Sequence, residues 1–381
     1  MSVYIFLVIF CFVLSFAKQT KLVERAAFIV AAFILCFGYM TGSDWRTYEL
    51  IYYNKWGYDH EFLYKLLNDI CYAIGIGFWP FFITFKIILL AVIFNVYRRL
   101  GIPLLFCLML FIPTMGFYLF IDNPMRNLIA YTIFAYCTKY IVSREFFKYL
   151  VGITIAFFFH YTTIAVLPIY FLYNVNFKNR TLIILYVLIN IFFASQKVVL
   201  GTMEYIASYL PAIGDRMLYY LETHIANPDS GDFKNKIFSV SILVKTFGFI
   251  VLLYYKNRLI EKFKYGKLVF VLSMCYLLLY RVSLSFLLFT RITLFFDIFY
   301  ICAIGYVLLL LSVKSRMIVK VFVCLYALVI TYRVTSDSYK YIPYTNYLIY
   351  KIKGHNLSFE ERDSYNFENG PYYIKGSEPG H

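Results

Sequence analysis

Apolar residues run through this chain in long blocks that show neither the alternation of a half-buried strand nor the polar stripe of a surface helix. Blocks such as SVYIFLVIFCFVLSFA (2–17) and VFVLSMCYLLLY (269–280) are hydrophobic all round, as helices enclosed by lipid or by other helices are. A spanning helix needs about 20 such residues. On that scale the pattern predicts helices near 2–17, 26–40, 78–96, 102–121, 125–142, 146–159, 161–173, 181–199, 238–255, 267–290, 292–313 and 317–333. The expected fold class is therefore all-α, a polytopic integral membrane protein with about 12 transmembrane helices.

The first run lacks a positive segment in front of it and is followed by the charges of KQTKLVER, so it is expected to be a retained helix with its N-terminus outside and no cleavage. The helices at 146–159 and 161–173 are short, about 20 Å each, against about 30 Å of hydrocarbon. Their junction at His160 is expected to be sunk inside protein below the outer surface. No internal repeat is visible. The expected organisation is one membrane domain over 1–352, with extracytoplasmic segments at about 41–77 and 200–237, and a polar tail over 353–381. The closing GSEPGH has the form of a cloning scar as well as of a native terminus.

Composition agrees: 62% of residues are hydrophobic, 22% are aromatic and mean hydropathy is +0.70, which leaves too little polar surface for a water-soluble globule. The eight cysteines stand singly, most of them in apolar runs and none in a CxxC pair, so a disulfide or zinc framework is not expected. Neither a metal nor a cofactor is expected.

The net charge of +15 follows from topology. The connections KQTKLVER (18–25), YRRLG (97–101), KYIVSREFFK (139–148), NFKNR (176–180), KNRLIEKFKYGK (256–267) and KSRMIVK (314–320) hold 18 of the 36 Lys and Arg residues and only three acidic ones, Glu24, Glu145 and Glu261. Short basic connections stay cytoplasmic. Membrane lipids thus account for the basic balance, and no nucleic-acid partner is implied. The other connections, including GSDWRTYELIY (42–52) and FIDNPMRN (120–127), face outward.

Ionisable groups at membrane depth cost at least ~2.5 kcal/mol each on insertion scales, so each asks for a partner or a task. Asp44, Arg46, Asp122, Arg126, His160, Arg281, Arg291 and Asp297 all fall in the outer half of this topology and come from separate segments, as the lining of a pocket would. Arg281 is expected roughly 15 Å below the outer end of its helix, where it either binds an anion or pairs with Asp297. Arg126 opens a helix behind Pro124, with Asn123 as a cap; it offers a phosphate seat, or pairs with Asp122. His160 is either a hydrogen-bonded structural residue or a base for a sugar hydroxyl. Asp44 and Arg46 pair, bind headgroups, or belong to the site, and the aromatic residues behind them, Tyr48 among them, suit both an interfacial belt and the faces of sugars. Lys86 and Lys245 lie inside predicted helices with no acidic neighbour in sequence. The chain has no P-loop, HExxH, GxSxG or DxD motif.

In order and spacing, GSDWRTYELIY (42–52), DNPMRNLIAYTIFAY (122–136), IAFFFHYTTIAVLPIYFL (155–172) and TRITLFFDIFYICAIGYVL (290–308) resemble the Wzy-type bacterial polysaccharide polymerases, in particular their EpsG-like branch. Asn127 stands where that family often has glutamine after the arginine. The resemblance implies a GT-C-like, metal-independent glycosyltransferase of the bacterial inner membrane, with its active site on the periplasmic side. It would join undecaprenyl-pyrophosphate-linked repeat units of O-antigen (lipopolysaccharide), capsule or exopolysaccharide by en bloc transfer.

On that reading His160 or Asp44 activates the acceptor, with His160 preferred. Arg126, Arg281 and Arg291 hold the pyrophosphate, Asp122 and Asp297 orient the arginines, and Arg46, Tyr48, Asn123, Asn127 and Tyr161 contact substrate. A chain-length regulator and a flippase are the further partners it suggests. The alternatives are a lipid-linked oligosaccharide flippase, which should gather charge near the bilayer midplane, and an O-antigen ligase, which shares the donor.

Overall fold

The computed structural model describes residues 1–55, 61–122, 124–209, 239–285, 287–336, 340–355 and 357–369. Among them every regular element is a helix. In chain order these are α1 (Ser2–Leu14), α2 (Lys21–Leu35), α3 (Trp45–Asn54), α4 (Phe62–Ala73), α5 (Phe78–Leu100), α6 (Leu104–Phe111), α7 (Met125–Val142), α8 (Phe146–Phe159), α9 (Ile169–Leu172), α10 (Asn179–Phe192), α11 (Gln196–Ser208), α12 (Val240–Lys262), α13 (Gly266–Ser283), α14 (Leu287–Leu310), α15 (Val313–Thr335), α16 (Tyr347–Ile352) and α17 (Phe359–Asn369). Five are long and apolar enough to cross a bilayer: α5, α12, α13, α14 over Phe289–Leu310, and α15; shorter apolar helices include α1, α8 and α10. The chain is a multi-pass, all-helical membrane protein.

Several boundaries differ from the sequence pattern for local reasons. Lys21 already belongs to α2, because the Thr20 hydroxyl caps the helix by accepting from the Val23 amide at 3.3 Å. The run at 102–121 is not one regular helix. It loosens after Phe111 into the π turns Ile112–Gly116 and Tyr118–Asp122, at Pro113, which has no N–H to donate. The expected helix at 161–173 is a 3-10 turn, Tyr161–Val166, followed by one turn of α9 after Pro168. The outward stretch 41–77 carries two helices, α3 and α4. The expected loop at 200–237 is helical through Ser208 and otherwise lies outside the described residues, as do Asn123, Trp56, Tyr58 and the GSEPGH ending.

The chain divides into two compact units, Met1–Ile164 with Ile304–His381, and Ala165–Ala303. In the first, α7 and α8 form a close antiparallel hairpin, where Gly152 lets the backbone approach so that a Cβ there would overlap the Cys137 sulfur. The hairpin brings Arg126 and His160 to one end. The basic connections meet at the other: Arg98 pairs with Glu24 at 2.7 Å, Arg99 donates to the carbonyls of Ala135 (2.9 Å) and Tyr136 (2.8 Å), and the Lys320 ammonium donates to the Ser15 carbonyl at 2.5 Å. The Lys320 bond caps the C-terminus of α1 with a cation, which complements its dipole.

At the Arg126 end, residues 37–44 are clamped between distant segments. The amides of Tyr39 and Gly42 donate to the carbonyls of Thr345 (3.0 Å) and Lys340 (2.7 Å), and Tyr347 donates to Phe37 at 2.9 Å. Gly42 has φ +85°, and a Cβ on it would run into the Ile121 carbonyl. Gly42→Ala therefore meets backbone it cannot displace; it is expected to cost about 1–3 kcal/mol or more and to lower the yield of monodisperse protein in detergent.

In the second unit, α12 and α10 pack on α13. Lys245, which had no partner in the sequence pattern, lies over the rings of Tyr276 and Tyr300, each at 4.7 Å, and of Tyr280 at 5.3 Å. It also faces the Asp297 carboxylate. An aromatic cage and a counter-ion are what a buried ammonium needs. In the first unit, Lys86 lies 5.0 Å over Phe82.

Candidate functional site

The site is built around Glu61, the residue just before α4. Its carboxylate is 3% exposed and has a partner for each oxygen. Oε2 accepts from Arg126 Nη1 at 2.5 Å, and Oε1 lies 3.1 Å from His160 Nδ1. Three segments deliver these groups. Arg126 sits in the first turn of α7, Glu61 precedes α4, and His160 ends α8 with an extended backbone (φ −159°, ψ 114°) that turns its ring out of the helix. Thr163 holds the junction, with its amide (3.0 Å) and hydroxyl (2.7 Å) both donating to the His160 carbonyl.

With Glu61 ionised, the imidazole nitrogen facing it must be a protonated one, so in the neutral ring Nδ1 is the donor and Nε2 carries the lone pair. Nε2 is buried and has no hydrogen-bond partner among the described residues. A buried, unpartnered acceptor costs stability unless something fills it. Tyr48, buried one turn into α3, places its hydroxyl 3.5 Å from Arg126 Nε. Arg126 keeps further N–H groups beyond these contacts, since a guanidinium has five, and its side chain is 26% exposed.

Burial alone would push the Glu61 carboxyl up. The His160 hydrogen bond and the Arg126 charge outweigh it and hold the group down at about 2, against an ordinary 4.5. A carboxyl lowered on folding adds stability that is present above its unfolded value and lost as pH falls toward the folded one. Thermal stability in detergent should therefore decline from about pH 4.5 downward, and Glu61→Gln should flatten that acid limb. A limb of unchanged slope in the variant would contradict the assignment.

A second acidic group borders the first. Ser43 Oγ donates to Asp122 Oδ1 (2.7 Å) and to Asp44 Oδ1 (3.1 Å), the Ser43 amide donates to Asp122 Oδ1 (3.1 Å), and Lys340 Nζ lies 3.3 Å from Asp122 Oδ2. Burial, then the Asp122 charge, raises Asp44 above the ordinary carboxylate value. Asp44 also feels the charge of Arg126. No group of three His, Cys, Asp or Glu side chains gathers as metal ligands among the described residues, and Lys340 answers the Asp44–Asp122 pair.

The residues singled out in the sequence thus divide. Arg126 and His160 meet at Glu61, with Tyr48 against Arg126 and with Asp44 and Asp122 beside them. The expected Asp122–Arg126 pair is not formed, because Lys340 and Ser43 take Asp122 while Glu61 takes Arg126. Nor do Asp44 and Arg46 pair, since Arg46 is salt-bridged to Asp363. Asn127 is buried, its Oδ1 without a partner among the described residues, and Tyr161 is 54% exposed against Phe157. Arg281, Arg291 and Asp297 belong to the second unit. There Arg281 donates to the Phe193 carbonyl at 3.1 Å, Asp297 faces Lys245 in place of the expected Arg281, and Arg291 is exposed.

The family model of the EpsG family matches residues 21–347. The chain belongs to the EpsG family. No curated protein and no solved structure matches it. The matched span contains Asp44, Glu61, Arg126, His160, Arg281 and Asp297 and stops short of α17. Family membership makes the chain a polysaccharide-polymerase-like membrane protein of the glycosyltransferase type.

Glu61, Glu49, Lys340 and Arg362 were missed in the sequence. Glu61 lies within a stretch read as an outer connection, where an acidic residue is unremarkable. Its one visible mark is its place directly ahead of the apolar FLYKLLNDICYA of α4.

Proposed function

We propose that the chain joins polyprenyl-pyrophosphate-linked oligosaccharide repeat units into polysaccharide on the outer face of the bacterial cytoplasmic membrane. The observation that carries this reading is the Glu61 carboxylate shared between Arg126 and His160, with Nε2 of the histidine buried and without a hydrogen-bond partner among the described residues. In the transfer, an acceptor sugar hydroxyl oxygen bonds to the anomeric carbon of the donor as that carbon's bond to pyrophosphate breaks. The hydroxyl proton passes to His160 Nε2, and the electron pair leaves with the lipid pyrophosphate.

Glu61 supports both halves of this step. It fixes the tautomer that leaves Nε2 basic and stabilises the imidazolium as the proton arrives. It also holds Arg126 in place to meet the developing negative charge through N–H groups not spent on Glu61. For Arg281 and Arg291, in the second unit, the proposed task is likewise to bind phosphate, since planar guanidinium forks bind phosphate oxygens bidentately. Asp122 is assigned to the ordering of the first cluster through Ser43 and Lys340, Asp297 to the charge of Lys245, and Asp44 to the acceptor side. About twelve crossings, a GT-C-like architecture and chemistry without a metal are part of the proposal. The outward orientation rests on the basic connections, those of the first unit lying at its end away from Glu61.

Purified protein given lipid-pyrophosphate repeat units as its sole substrate should make a ladder of glycan lengths. A flippase makes none, and a ligase needs a second acceptor. Absence of a ladder from active-looking, folded protein would remove the reading.

A further inference from the structure

We infer that the cleft between the α3–α5 region and the C-terminal helices α16 and α17 is a glycan-binding groove, separate from the Glu61 cluster. Within the first unit a cavity of about 310 Å³ is walled by the rings of Tyr39, Trp79, Tyr347 and Tyr350. Trp79 and Tyr347 face each other at 18° with centroids 6.0 Å apart, and Tyr39 meets both edge-on. A second compartment of about 400 Å³ shares Tyr350, His355 and Leu357 with the first and continues along α17.

The charged groups of the first compartment are fixed. Glu49 and Arg362 are 6% and 8% exposed and form a two-point pair, with Arg362 Nη1 to Oε2 at 2.5 Å and Nη2 to Oε1 at 3.0 Å. Lys351 and His355 stand exposed at the rim. Flat aromatic walls pack the C–H faces of a pyranose ring, while immobile donors and acceptors read its hydroxyls; a small number of placed polar groups in a ring-lined pocket is how such sites obtain orientation.

Other occupants fit less well. A prenyl or acyl chain wants a lining without polar atoms, such as the wholly apolar cavity of about 230 Å³ among Leu182, Leu185, Phe270 and Met274 in the second unit. A pyrophosphate wants unneutralised cations, whereas Glu49 cancels Arg362. Two joined compartments suit a run of sugar residues better than a single ring. The cleft shares no lining residue with the Glu61 cluster, and Tyr350, Lys351, His355 and Arg362 lie past residue 347, where the family match ends. The choice of ligand rests on the polymerase reading; the existence of the groove does not.

The test uses full-length protein in nanodiscs and oligosaccharides of one to three repeat units, free of lipid and pyrophosphate, cut by mild acid from the surface polysaccharide of the cells that carry this chain. Saturation-transfer NMR should show the sugar ring protons in contact with protein. Tyr347→Ala and, as an exposed second choice, His355→Ala should each weaken binding about tenfold. Failure of the fragments to bind, or binding by both folded groove variants as tight as that of the unaltered protein, would overturn the groove. Bound fragments without a polymer ladder would instead count against the polymerase reading alone.

Discussion

Glu61→Gln should abolish the glycan ladder in cells while leaving the protein at its usual level in the membrane. The amide is the same size, so packing before α4 is retained. Yet it cannot balance the Arg126 guanidinium that the carboxylate meets at 2.5 Å, and it no longer stabilises a charged imidazole at 3.1 Å. General-base assistance is worth about 10²–10⁴ in rate, and misplacing the neighbouring cation adds to the loss. His160→Ala should fail by a similar factor, and the double variant should be little worse than either single one, because the two residues act as a unit. Independent, multiplying losses would show that Glu61 serves Arg126 only.

The second large effect is on stability. Arg362→Met leaves Glu49 buried at 6% exposure without its two-point partner, and removes the guanidinium that lies 5.6 Å over the Trp45 ring. Breaking one side of a buried pair costs about 3–5 kcal/mol, so the melting midpoint in detergent should fall by about 5 °C or more. Replacing both partners, Glu49→Leu with Arg362→Met, removes the stranded charge and should recover most of that loss. If the double replacement is as unstable as the single one, packing by Arg362 and not its charge holds α17 in place.

The hairpin of α7 and α8 could be read from the sequence residue for residue, because two apolar runs with the three-residue polar break Ser143, Arg144 and Glu145 leave one solution. Arg126 and His160 were legible for the same reason: a charged residue beside such a run is conspicuous. Glu61 was not, since a carboxylate in a polar stretch looks solvated until the fold buries it. The partners of Asp122, Lys340 and Ser43, are 218 and 79 residues away, and no local pattern reports such a meeting. The break of 161–173 into turns was hidden because hydropathy does not register how Pro168 and the Thr163 bonds to the His160 carbonyl reshape a backbone.

The most direct measurement is a density map of the protein with a non-hydrolysable polyprenyl-pyrophosphate repeat unit bound. The account predicts pyrophosphate oxygens on the Arg126 guanidinium and an acceptor hydroxyl within hydrogen-bond reach of His160 Nε2, with Glu61 still joining the two side chains. Ligand density seated elsewhere, with Nε2 left facing only protein, would contradict it.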